Sequence, residues 1–108
     1  MIDEQSAEKA RDWMRDNASV HAQAVAHCKY IEDFKKVQFA ILFQQAPEET
    51  VGAKEAWAYA HPEYKTLLEG LRAAREEEVA LRHKYTAAEA TISVWQTMSA
   101  NNRKPAGF

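Results

Sequence analysis

The sequence predicts an all-α protein: a long antiparallel, coiled-coil-like helical hairpin with a short N-terminal helix and a short helical elbow. Over the last third of the chain, apolar residues recur at alternating steps of three and four, the spacing of a helix that presents one seam to a partner helix. Only three glycines and three prolines interrupt 108 residues, too few for the frequent turns of an all-β domain. At 12.3 kDa the chain has room for one domain, which we expect to span residues 1–108.

The N-terminal part is predicted to form a short helix at about 3–15 and a longer one at about 19–45. Asp16, Asn17 and Ser19 separate them because such residues favour helix caps over helix interiors. A single helix with a kink at this point is the alternative. Pro47 closes the second helix, since the residue before a proline avoids helical backbone. The predicted core face carries Trp13, Val20, Ala24, Ile31, Phe34, Val37 and Ile41.

A connecting helix at about 51–60 is predicted next, with Thr50 as its N-cap. Pro62 then suits the first turn of a long helix at 62–100, and Glu63 lies at the positive end of its dipole. The predicted seam of this helix is Tyr64, Leu67, Leu71, Ala74, Glu78, Leu81, Tyr85, Ala88, Ile92 and Trp95. Residues 101–108 form a tail.

Antiparallel packing pairs positions of the two long helices whose numbers add to about 108. Ile41 then meets Leu67, Phe34 meets Ala74, Val20 meets Ala88, and Trp13 meets Trp95. Large residues face small ones in several layers, as in close-packed cores.

The segment around Phe39 and Phe43 is apolar on two sides. These two rings point roughly opposite to Phe34, Val37 and Ile41 at 100° per residue, and one partner helix covers only one side. Either the elbow, with Trp57 and Tyr59, folds over the second side, or another chain does. We therefore take Phe39, Phe43, Trp57 and Tyr59 as the candidate interface and expect a homo-oligomer.

The residues form no catalytic, metal-binding or cofactor-binding motif, and we expect a protein that is not an enzyme. His21 and His27 are six positions apart and project from different sides of a helix. Cys28 is expected to be a small buried hydrophobe. Glu78, the carboxylate in the predicted seam, is expected to make a structural polar contact.

The chain has fourteen basic and sixteen acidic residues, so its charge does not favour broad binding of nucleic acid. Arg103 and Lys104 lie in a tail without acidic residues and are the candidate nucleic-acid contacts; a frayed terminus is the alternative. The longest apolar run, Phe39 to Phe43, is far short of a bilayer span. The acidic N-terminus lacks the features of a secretory signal, so we expect no membrane contact and a cytoplasmic protein.

Two stretches resemble small, mostly uncharacterised tailed-phage and prophage proteins. One runs from Thr50 through Val51-Gly52-Ala53-Lys54-Glu55-Ala56 to Glu63-Tyr64. The other is Ala88-Glu89-Ala90-Thr91-Ile92-Ser93-Val94-Trp95, which continues to Ala100-Asn101-Asn102-Arg103. Those proteins are encoded near early recombination and replication genes, so the resemblance implies a phage context in the host cytoplasm and assigns no catalytic residue.

The expected function is that of a non-enzymatic phage accessory protein. It would bind a host or phage protein and modulate or inhibit a DNA-processing or defence complex. The alternatives are a recombination accessory that binds nucleic acid directly, and a structural or scaffolding helical oligomer.

Overall fold

The computed structural model describes residues 2–102, which form three α-helices and no strand. The helices are α1 (Glu4–Gln45), α2 (Val51–Ala60) and α3 (Pro62–Asn102). This confirms the predicted all-α hairpin and its helical elbow. Within these residues no helix combines the length and the apolar character needed to cross a bilayer.

The N-terminal part is one helix, so the prediction of a separate helix at 3–15 is wrong. Asp3 caps α1, because its Oδ1 accepts a hydrogen bond from the Ser6 backbone N–H at 2.8 Å. Two of the three polar residues expected to break the helix find partners inside it. Asn17 donates from Nδ2 to the Trp13 carbonyl oxygen at 2.9 Å, one turn earlier, and Asp16 accepts from Arg15 Nε at 3.1 Å. With these groups satisfied, the helix continues.

The elbow is set by caps at both ends of α2. Thr50 accepts from the Ala53 N–H at 3.2 Å, as predicted for its N-cap. His61 ends α2 in extended backbone, with φ −67° and ψ 136°, as expected for a residue before proline. His61 also begins α3, because its Nδ1 accepts from the Glu63 N–H at 3.1 Å and its carbonyl oxygen accepts from the Tyr64 N–H at 3.0 Å. His61 thus makes hydrogen bonds with backbone groups at the end of α2 and at the start of α3.

The described residues fall into two compact units. Residues 23–78 form the unit that holds the elbow, and its core is Leu42, Ala58 and Tyr64, with Phe39 and Trp57 packed against them. In this unit α1 and α3 run antiparallel. Glu32 forms an ion pair with Arg75, whereas the predicted register pairs position 32 with position 76, so the two registers differ by one residue.

The second unit comprises 2–22 and 79–102 among the described residues. There the centroids of the His21 and Tyr85 rings lie 5.8 Å apart, whereas the predicted register pairs position 21 with position 87. Trp95 and Met98 line a shallow cavity together with Ile2 and Asp3. Trp13 and Trp95 are both half-buried, and their predicted contact stays a prediction.

The seam of α3 lies on the face that the spacing predicts. All ten predicted positions, from Tyr64 to Trp95, are buried or half-buried, and Tyr64, Leu71 and Ala74 are the most enclosed. This includes Leu67, Leu81, Tyr85 and Ile92. Glu78 is half-buried, in keeping with a carboxylate in a seam.

The seam of α1 is rotated from the predicted one. In the 23–78 unit one set of enclosed positions of α1 follows a strict alternation of four and three: Ala24, Cys28, Ile31, Lys35, Gln38 and Leu42. The half-buried Phe34, Phe39 and Phe43 lie beside this set. Ile41 is 40% exposed, so its place in the predicted seam is wrong; Val37 and Val20 are exposed as well. Ile31 and Phe34 are half-buried.

The packing of α1 against α2 at the elbow explains why the α1 seam is rotated. Leu42 is fully buried in the core beneath α2, and Phe39 contacts α2 on one flank of α1. At 100° per residue, a helix that buries Leu42 centrally and Phe39 on one flank turns positions 30, 34, 37 and 41 about 110° away from its seam.

Candidate protein-binding surface

A cluster of aromatic rings joins all three helices at the elbow. The Phe39 and Tyr59 ring centroids are 4.6 Å apart, and Tyr59 meets Tyr64 edge-on at 5.4 Å with an interplanar angle of 81°. Phe39 also lies 6.1 Å from Phe43, one turn along α1. Tilted and edge-to-face contacts at these distances are favourable aromatic geometries. The rings therefore support one another through direct contacts.

Within this cluster Tyr59 is the ring that faces solvent. It is 57% exposed, whereas Tyr64 is buried. Burial raises the pKa of the Tyr64 hydroxyl, and the neighbouring Tyr59 raises it further. Tyr59 is thus an exposed aromatic side chain that packs against two other rings.

Three lysines border the cluster. Lys35 and Lys36 line a cavity of about 180 Å³ together with Phe39, Tyr59 and Tyr64. On the neighbouring side, the Lys54 ammonium lies 5.6 Å from the centroid of the Phe43 ring, a cation–π contact. We call Lys35, Lys36, Phe39, Tyr59 and Tyr64 the elbow surface. It combines an exposed aromatic ring, packed on two others, with positive charge.

The candidate interface residues named from the sequence separate into two groups. Phe39 and Trp57 pack against the core, and Phe43 is half-buried, so the elbow covers much of this side of α1. All three make intramolecular contacts, and one edge of Phe39 also lines the elbow cavity, so their part in an interface with another chain stays a prediction. Tyr59 alone of the four is exposed. Arg103 and Lys104 lie outside the described residues.

Lys35, Lys36 and Tyr64 belong to this surface and were not singled out from the sequence. Lys35 and Lys36 precede Phe39 by four and three positions, which places side chains of a helix on neighbouring parts of its surface. That spacing is a signal for the two lysines. Tyr64 belongs to α3 and lines the same cavity as the two lysines. No local sequence pattern predicts a contact between residues so far apart in the chain.

Cys28 lies in a different environment, on the seam between α1 and α3. It is buried, and this burial raises the pKa of its thiol; the carboxylates of Glu78 and Glu32 act in the same direction. A raised pKa opposes thiolate formation, so the site is unsuited to a nucleophilic cysteine. Among residues 2–102, no three His, Cys, Asp or Glu side chains are grouped so that they could hold a metal ion.

Comparison with known proteins gives no match. No protein-family model matches the chain, and neither a curated protein nor a solved structure is significantly similar to it.

Proposed function

We propose that this protein is a non-enzymatic accessory that acts by binding another protein through its elbow surface. In the phage context implied by the resemblance, the partner is a host or phage protein of a DNA-processing or defence complex in the host cytoplasm. The exposed Tyr59, seated on Phe39 and Tyr64, is the observation that carries the proposal.

The argument for Tyr59 is energetic. Tyrosine is among the residues that contribute most to protein interfaces, because it buries a large area with few rotatable bonds. Association normally costs about 0.5–1.5 kcal/mol for each flexible side chain that becomes ordered. Tyr59 is already in contact with two rings, so part of that ordering is in place before association.

The charge of the elbow surface indicates the chemistry of the partner. Lys35 and Lys36 lie beside Tyr59, whereas the whole chain carries a formal net charge of −2. A partner with carboxylates around an apolar recess for the Tyr59 ring would be complementary in both shape and charge. Such complementarity raises the rate of association and excludes wrong partners.

The test is capture from host lysate with the tagged full chain and with two variants. Tyr59→Ala removes the anchor ring, and Val94→Ala, at a position that is 44% exposed on α3, is the control. We expect one partner to be recovered with the original chain and with Val94→Ala, and lost with Tyr59→Ala. The purified pair should then bind at least about thirtyfold more weakly with Tyr59→Ala, the change of a typical interface hot spot.

A partner that binds Tyr59→Ala and the original chain equally would contradict the proposal. So would a lysate in which no recovered protein depends on Tyr59.

Nucleic acid is a second candidate for the same surface, because an exposed ring beside two lysines resembles the stacking platforms that bind single strands. Fluorescence anisotropy with labelled single-stranded DNA and RNA at low salt decides between them. Salt-dependent binding that is lost both in Tyr59→Ala and in a Lys35→Ala, Lys36→Ala double variant would favour nucleic acid. An unchanged anisotropy would remove this candidate.

A further inference from the structure

The elbow cavity contains a polar group for which the fold supplies no partner. Tyr64 is only 8% exposed, and it lines this cavity of about 180 Å³ together with Lys35, Lys36, Phe39 and Tyr59. Within the described part of the chain its hydroxyl makes no hydrogen bond, and the oxygen is not sealed from solvent. A buried tyrosine normally finds a hydrogen-bond partner for its hydroxyl. The Tyr64 hydroxyl therefore opens into the cavity, where a ligand can supply that partner.

The two lysines bring positive charge to the same cavity. Lys35 is half-buried and Lys36 is exposed. Among the described residues neither of them forms an ion pair with a carboxylate. Glu32, which precedes Lys36 by one turn of α1, pairs instead with Arg75 at 2.9 Å. The cavity thus offers two ammonium groups whose charge is available to a bound anion.

The number of donors indicates which anion fits. Burial raises the pKa of the Tyr64 hydroxyl, so this group keeps its proton at neutral pH and can donate it in a hydrogen bond. Together with the two ammonium groups it makes three donors. A phosphate monoester has three terminal oxygens and a charge of about −1.5 to −2 at pH 7, whereas a carboxylate has two oxygens and a single charge. Both the donors and the charge match the phosphate monoester better.

The aromatic wall of the cavity suits the organic part of such a ligand. The Phe39 and Tyr59 ring centroids lie 4.6 Å apart, and Tyr59 is 57% exposed. The cavity is smaller than the pockets of about 300–1,000 Å³ that enclose drug-sized ligands. It therefore has room for the phosphate group, and an attached ring would lie outside, against the exposed ring of Tyr59.

We infer that the elbow cavity binds a phosphate monoester. Lys35 and Lys36 neutralise its charge, the Tyr64 hydroxyl donates to one of its oxygens, and its organic part packs on Tyr59. The inference concerns the surface that the proposed function uses but goes beyond that function, because the cavity can hold this group when no protein partner is present. A phosphorylated side chain and a mononucleotide present the same group to the cavity.

The test is an NMR titration of the isotope-labelled full chain with phenyl phosphate, at about 100 mM salt so that distant charges are screened. Phenyl sulfate is the matched ligand, because it has the same ring and three terminal oxygens but a single charge. We expect the amide signals of positions 35, 36, 59 and 64 to shift. Phenyl phosphate should bind about threefold or more tightly than phenyl sulfate, since it gains more from the two ammonium groups.

Three variants separate the roles of the side chains. Tyr64→Phe removes one oxygen that makes no hydrogen bond among the described residues, so stability in urea should be kept. Its affinity for phenyl phosphate should fall about tenfold, the effect of losing a hydrogen bond to a charged group. Lys36→Ala should weaken binding about threefold. Lys29→Ala, the same change two turns earlier on α1 and outside the cavity, should leave binding unchanged.

Competition distinguishes the two sources of the phosphate group. Phosphotyrosine and adenosine monophosphate are added separately to the complex with phenyl phosphate. Displacement by either one supports the inference, and the one that acts at the lower concentration indicates whether the cavity prefers a phosphorylated side chain or a nucleotide.

Four results would overturn the inference: a Tyr64→Phe chain that binds phenyl phosphate as tightly as the original, equal affinity for phenyl sulfate, shifts confined to other parts of the chain, and no displacement by either competitor. The proposed function is tested apart from this. A chain that captures a partner through Tyr59 but does not bind phenyl phosphate would refute this inference alone. Binding of phenyl phosphate without capture of any partner would refute only the proposed function.

Discussion

Replacing Leu42 by alanine tests the rotation of α1 directly. Leu42 is fully buried among Ala58, Tyr64 and Phe39, whereas its neighbour Ile41 is 40% exposed. Leucine to alanine removes three carbons, worth about 2.4 kcal/mol of transfer free energy at about 0.8 kcal/mol each. The cavity that remains adds to this, so we expect Leu42→Ala to lower the free energy of unfolding by about 3 kcal/mol or more. The melting temperature should fall by about 10 °C or more.

Leu68→Ala is the matched control, because it is the same substitution in a helix at a position that is 41% exposed. We expect it to cost about 1 kcal/mol, since much of that side chain already contacts water. Helix propensity cancels in this comparison. The assay is urea unfolding of both variants, followed by far-UV circular dichroism and fitted with a common slope. If Leu42→Ala cost no more than Leu68→Ala, the rotated seam would be refuted.

Three further predictions concern a cap, a glycine and the cysteine. Thr50→Ala should destabilise the protein by about 1 kcal/mol in urea unfolding by removing the acceptor for the Ala53 N–H, while Thr50→Ser should restore most of it; equal stability of all three would contradict the cap. Gly70→Ala should stabilise α3 by about 0.5–1 kcal/mol, because its added Cβ meets no atom within 4 Å, and a lower melting temperature would argue against that open space. The raised pKa of Cys28 predicts slow reaction with a thiol reagent in the native protein at pH 8 and fast reaction in urea; equal rates would contradict its burial. Because the native state holds this proton more tightly than the unfolded state, stability should fall as the pH rises above about 9, and by less in Cys28→Ala.

The sequence alone determined α2, α3 and the core face of α3. The three-and-four spacing from Tyr64 to Trp95 is regular, so a single helix face satisfies it, and Pro47, Thr50 and Pro62 act on the backbone through local geometry. These signals depend on residues within one or two turns. The one local signal that misled was Asp16–Ser19, whose preference for caps gave way to hydrogen bonds inside a continuous α1.

Only the tertiary structure decided which face of α1 is buried. That helix has apolar residues over most of its circumference near the elbow, so Ile41 and Leu42 are equally plausible as core residues when the helix is considered alone. The choice depends on α2, which packs on Phe39 and encloses Leu42 together with Tyr64. These contacts join residues that lie far apart in the chain, so no pattern within α1 alone predicts them. The same contacts expose Tyr59 beside Lys35 and Lys36, and for this reason the elbow surface emerges from the fold and not from any motif.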